Sequence, residues 1–170
     1  MCAFITYLHA PDLSSLDLEL RDHTGQPSNS PSLPAQTALF RAISEASFAP
    51  ALRHLALTVQ TKANLGTDPT AAGDAGVMGA MRPLFSLSAL RVLTVVYFCG
   101  DATLATDADM LAAATAWRDM EHLSLDFPFS DVYDQGGFPS LASLAHIAAH
   151  CPRLTWLRIP LAVLDPPPEP

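Results

Sequence analysis

Apolar residues return along this chain in one fixed figure. Leu154, Leu157, Ile159 and Leu161 occupy offsets 0, 3, 5 and 7 of an eight-residue window. The same figure recurs at Leu13, Leu16, Leu18 and Leu20; at Leu52, Leu55, Leu57 and Val59; at Leu90, Leu93, Val95 and Tyr97; and at Met120, Leu123, Leu125 and Phe127. Offsets 3, 5 and 7 alternate with period two, the mark of a strand with one buried face. Five strands are therefore predicted, near 13–20, 52–59, 90–97, 120–127 and 154–161. Successive units begin 39, 38, 30 and 34 residues apart, so each interval has room for a loop and a helix.

Within the intervals the period changes. Met110, Ala113, Ala114 and Trp117 form a stripe at helical spacing behind Thr106 and Asp107, which are suited to cap it. Leu141, Leu144, Ala145 and Ala148 form another, ended by Cys151 and Pro152, while Leu39, Ile43 and Ala46 mark a shorter helix. A helix in "TAAGDAGVMGAMRPLF" is opposed by Gly73, Gly76 and Gly79, each costing about 1 kcal/mol against Ala. Strand–helix units of this kind cannot bury their apolar faces singly, but stacked side by side they share one continuous core. The expected fold is α/β: an irregular solenoid of about five strand–helix units over residues 1–162, followed by a Pro-rich tail at 163–170. Its parallel sheet would line the concave face and its helices the convex face. Leu154 would close the turn into the last strand, and Cys151 would be a small buried apolar residue.

Residues between the leucines would then face solvent: Ser15, Asp17 and Glu19; His54, Ala56 and Thr58; Val92, Thr94 and Val96; His122, Ser124 and Asp126; Trp156 and Arg158. Exposed Trp and Arg are enriched among binding hot spots, which makes Trp156, Arg158, His122 and Asp126 a candidate contact patch. Val92 and Val96 make the open side of the middle strand apolar, and His54 sits at the matching place one strand earlier. The alternatives are a C-terminal tail folded over Trp156 and a loop such as 60–72 folded over the valines. The segment 126–139, with Phe129, Asp131, Tyr133 and Asp134, reads either as an added contact loop or as a solvated connector.

Composition narrows the function classes. At 170 residues and 49% hydrophobic, the chain is long enough for one packed domain. A formal charge of −8 provides no basic face to displace counterions, so no nucleic-acid partner is expected. Cys2, Cys99 and Cys151 lie far apart, which suits a reducing compartment. "MCAFITYLHAPDL" has no basic leader, and "VLTVVYFC" is too short to span a bilayer. The expectation is a soluble intracellular protein, cytoplasmic or nuclear, with no membrane partner.

Chemistry-bearing motifs are incomplete. His146, His150 and Cys151 share a helix end without a fourth ligand. Gly73, Gly76 and Gly79 spell GxxGxxG rather than a dinucleotide fingerprint. His54 and His122 are separated by a strand, and His122, Ser124 and Asp126 follow one another along a single strand rather than converging. No catalytic residue, metal or cofactor is assigned, and the chain is read as a non-enzyme, an α/β enzyme being the remote alternative.

The ordering "LATDADMLAAATAWRDMEHLSLDF … FPSLASLAHIAAHCPRLTWLRIPL" resembles the leucine-rich-repeat region of fungal, basidiomycete-type F-box-like proteins. An acidic helix start, an aromatic "AW", a "LxxLxL" strand, a "PSL" helix start and a "CPxLxxLxIP" strand recur there in this order. The likeness covers about residues 50–161, with residues 1–49 matching more loosely as an earlier repeat. It implies a surface that captures a target protein, with an F-box passing that target to a cullin-based ubiquitin ligase. The chain departs from the pattern in two ways. Leu13 already begins a repeat strand, so no F-box is expected within this sequence, and a ligase adaptor would be a partner only if an F-box lies upstream. The Asn or Cys that closes each repeat is replaced by Arg21, Gln60, Phe98, Pro128 and Ala162. A stand-alone repeat scaffold without a ligase role is the other reading.

Overall fold

The computed structural model describes residues 10–20, 33–60, 77–98, 105–126 and 138–161. Strands β1 (Ser15–Leu20), β2 (His54–Gln60), β3 (Val92–Phe98), β4 (His122–Asp126) and β5 (Trp156–Arg158) form one parallel sheet whose order is the chain order. Leu16 lies opposite Leu55, Leu55 opposite Leu93, Leu93 opposite Leu123, and Leu123 opposite Leu157. The offsets read from the apolar pattern thus coincide in all four pairings.

Each strand is entered through the same turn. The N–H groups of Leu13, Leu52, Leu90, Met120 and Leu154 donate to the carbonyls of Ala10, Ala49, Leu87, Trp117 and Cys151, each three residues earlier. The residue after this turn then supplies one carbonyl to two donors of the next unit. Ser14 accepts from Arg53 and His54, Arg53 from Arg91 and Val92, Arg91 from Glu121 and His122, and Glu121 from Thr155 and Trp156, at 2.8–3.2 Å. Regular pairing therefore starts two residues later than the pattern predicts, because offset 0 belongs to the turn. The last strand also stops at Arg158 rather than at 161. Pro160, lacking an N–H, cannot extend the ladder.

One α-helix is described in each interval: α1 (Leu33–Glu45), α2 (Val77–Met81), α3 (Asp107–Ala116) and α4 (Ala142–His150). Their apolar residues join the inward strand residues in one core, among them Phe40, Ile43, Met78, Met81, Met110 and Ile147 with Leu55, Leu57, Leu93, Val95, Leu123 and Leu125. Each such side chain, fully buried, contributes about 1.5–3 kcal/mol. The strand residues of opposite parity stay outside this core, so among the described residues the helices lie against one face of the sheet and leave the other helix-free.

Two helices differ from their predicted form. The first is the longest described, not a short one. Its buried stripe begins a turn early with Gln36, followed by Leu39, Phe40 and Ile43. Gln36 is polar and so invisible to an apolar pattern, yet its Oε1 accepts the buried Tyr97 hydroxyl. The fourth helix is rotated about its axis: Ser143 and Ile147 are buried, while Ala145 and Ala148 are exposed and Leu141 is 53% exposed. Asp107 causes this. Its carboxylate accepts the Ser140 N–H and hydroxyl at 2.8 and 2.7 Å and the Ser143 hydroxyl at 2.5 Å, which turns the serine face inward.

The third helix is as predicted, with Met110, Ala113, Ala114 and Trp117 all buried. Thr106 caps it in a reciprocal box with Asp109. In the glycine-rich interval α2 is short, and the chain tightens at Pro83 into a 3-10 segment, Arg82–Ser86. Trp117 closes on that segment: its Nε1–H donates to the Leu84 carbonyl at 3.2 Å, and its ring meets Phe85 edge-on at 5.1 Å. Cys151 is buried, its Sγ 3.5 Å from the Trp117 carbonyl, and burial raises its thiol pKa. Among the described residues no helix is long and apolar enough to cross a membrane.

Two outcomes follow from this packing. Trp117→Ala is expected to lower unfolding free energy by about 3–5 kcal/mol in urea titration, the range for large aromatic truncations in a core; a loss below about 1 kcal/mol would contradict the packing described. Asp107 is held below its ordinary carboxyl value of 3.8, first by the Ser143 hydroxyl and then by the Ser140 hydroxyl and N–H. A depressed carboxyl stabilises the fold above its unfolded-state pKa and loses that contribution as pH falls through its folded-state value. The stability advantage of wild type over Asp107→Ala should therefore be full above about pH 5 and shrink in stronger acid. An advantage that stays constant down to pH 2 would mean the carboxylate form does not matter.

Candidate binding surface

The in-register pairing arranges the outward side chains in rows that cross the sheet. At offset 2, Ser15, His54, Val92, His122 and Trp156 are successive partners; at offset 4, Asp17, Ala56, Thr94, Ser124 and Arg158; at offset 6, Glu19, Thr58, Val96 and Asp126. Neighbours within a row stand about 4.8 Å apart, the strand spacing. All seven residues singled out from the sequence, Trp156, Arg158, His122, Asp126, Val92, Val96 and His54, lie on this one face.

Four of them are in contact. The Trp156 and His122 rings stack, with centroids 5.6 Å apart and planes 19° from parallel. One strand position on, an Arg158 guanidinium nitrogen lies 2.8 Å from Asp126 Oδ2. Trp156 remains 55% exposed. An ion pair this exposed adds about 0–1 kcal/mol to stability, so its main effect is to hold the guanidinium in place. Val92 and Val96 are half-buried beside His122 and Asp126, and His54 is exposed on the far side of Val92 from His122. Of the segments proposed as covers, 60–72 lies outside the described residues beyond Gln60 and the C-terminal tail does so entirely, as does most of the 126–139 segment.

One face residue departs from expectation. Ser124 is only 8% exposed, because Arg158 is its partner across the strands and reaches past it to Asp126. The rim of the face also carries a pair that the apolar pattern does not reveal, Arg91 to Glu121 at 3.1 Å. Opposite charges at the same offset in adjacent units were the available signal for it.

Other concentrations of polar groups are committed internally. A groove of about 700 Å³ beside α1 is lined by Thr37, Arg41, Ser44, Glu45, Arg82 and Ser86 among others. The Ser44 and Ser86 hydroxyls donate to the Arg41 and Pro83 carbonyls, and Arg82 pairs with Asp109 at 3.6 Å. At the end of α4, His150 Nδ1 lies 2.9 Å from the His146 carbonyl while Cys151 turns into the core, so the three do not converge. Among the described residues no three His, Cys, Asp or Glu side chains are placed to hold a metal ion. No protein-family model matches this chain, and no curated protein sequence does.

The two tryptophans occupy opposite environments, 1% and 55% exposed at Trp117 and Trp156. Acrylamide quenching should therefore resolve a readily quenched component that Trp156→Phe removes, leaving the protected emission of Trp117. Equal protection of both indoles would mean that the patch is covered.

Proposed function

We propose that this chain is an irregular leucine-rich-repeat solenoid whose helix-free sheet face recognises another protein. We take it to be the target-binding part of an F-box-like ubiquitin-ligase substrate receptor. The observation that supports this reading most is the exposed Trp156, stacked on His122 beside the Arg158–Asp126 pair. An indole and a guanidinium are the groups that most often carry binding energy in protein interfaces. Here the stack on His122 and the ion pair to Asp126 hold both side chains against β4, so less side-chain freedom remains to be lost when a partner docks. The repeated turn and strand register support the solenoid part of the reading, since identical entries stacked at one offset are what a repeat array requires. The ligase part rests on the resemblance in residues 50–161.

The test separates these parts. A photo-crosslinking residue at position 94, on the same outward face but outside the patch, should capture a discrete partner in cells, and the same residue at position 118, exposed beside α3, should not. Trp156→Ala with Arg158→Ala, in a chain that melts like wild type, should reduce capture of that partner at position 94 about tenfold or more, in line with loss of a hot spot. Equal capture from both faces would remove the sheet face from consideration. Co-purification of a cullin adaptor with the full-length gene product would support the ligase role. A captured partner without that adaptor would leave a repeat scaffold.

A further inference from the structure

The helix-free face is not chemically uniform, and its order across the sheet is legible row by row. At the β1 end stand two carboxylates, Asp17 and Glu19, both exposed. Asp17 has no cation partner among the described residues. In the middle the row at offset 4 carries only small groups, Ala56, Thr94 and the covered Ser124, and β3 adds the half-buried Val92 and Val96. At the β5 end the indole of Trp156 rises beside Arg158. The face is thus acidic at one edge, apolar along its middle and aromatic at the other edge.

Building on the recognition reading above, we propose that the occupant is a segment of the partner protein in polyproline II conformation crossing the strands, with a lysine or arginine, an aliphatic residue and a second apolar residue at successive three-residue intervals. The spacing follows from the sheet. From β1 to β3, and again from β3 to β5, are two strand spacings, about 10 Å each, which a polyproline II chain at about 3.1 Å per residue covers in one three-residue turn that returns its side chain to the same side. The basic side chain pairs with Asp17, the aliphatic one rests on Val92 and Val96, and the last lies against the free part of the Trp156 ring. A segment with the charge reversed would place a carboxylate against Asp17, which is repulsive on a chain that is already net acidic at −8.

An immobilised positional-scanning library of acetylated nonapeptides, probed with the full chain at low salt, tests this. Wild type should select Lys or Arg at one position, an aliphatic residue three positions away, and an aromatic or aliphatic residue three further on. Asp17→Lys should switch the first preference from basic to acidic, changing relative binding of Lys and Glu peptides by about fivefold or more, as replacing an exposed attraction by a repulsion does. It should leave the other two preferences unchanged. Trp156→Ala should erase only the third. A basic preference that survives Asp17→Lys overturns the proposal, as does a wild-type library with no enriched peptide. Either result leaves recognition of a folded partner by the same face standing, because the crosslinking contrast between positions 94 and 118 measures that separately. Absence of that contrast would fell both.

Discussion

Four backbone carbonyls, of Ser14, Arg53, Arg91 and Glu121, hold this sheet in register. Each accepts two consecutive N–H groups from the unit that follows, at the point where that unit leaves its entry turn. Side chains on a strand alternate with period two, so a slip of one residue would carry an entire inward row to the outside. A shared acceptor at the start of each of β2 to β5 opposes that slip. The leucines then make the choice costly to reverse: moving Leu93 and Val95 outward would expose two fully buried residues at about 1.5–3 kcal/mol each.

The helix-free face inherits its order from the same constraint. His122 meets Trp156 because both stand two residues beyond the turn residues Met120 and Leu154, and Arg158 reaches Asp126 because their strands run parallel at zero offset. Neither contact belongs to the hydrophobic core. The core lies on the other side of the sheet, and the outward positions are correspondingly varied in chemistry, from Asp17 through Val92 to Arg158.

The strands, their pairing and their outward faces were legible because they follow from a repeating apolar figure that five windows share. The buried stripe of α3 was legible for the same reason, from Met110 through Trp117. What escaped the pattern was polar and long-range. Gln36 lengthens α1 through a hydroxyl 61 residues away, and Asp107 turns α4 through serines 33 and 36 residues on. In both places a buried polar group met its partner only in the folded chain, and the need to satisfy it outweighed the apolar stripe. Ser124 was misplaced by a subtler route, since its own environment is set by the reach of a neighbour's guanidinium. On the candidate patch, the sequence reached the identity of the residues and the face they share, while the stacking and the ion pair depended on side-chain reach between strands.

The Gln36–Tyr97 link has a further bearing on how the molecule comes apart. In an ideal array each unit touches only the next, and segments are lost one at a time from the ends. Here α1, which follows β1, is tied through a buried hydroxyl to β3, bypassing the strand between them, and it also packs on the 3-10 segment that precedes β3. The first three strands with their helices are thereby joined through a buried contact, and segments so joined are expected to open as one unit. The short β5 has β4 as its one strand partner among the described residues. The contact patch straddles β4 and β5, so it sits at the loosely held end of a protein whose opposite end is cross-braced.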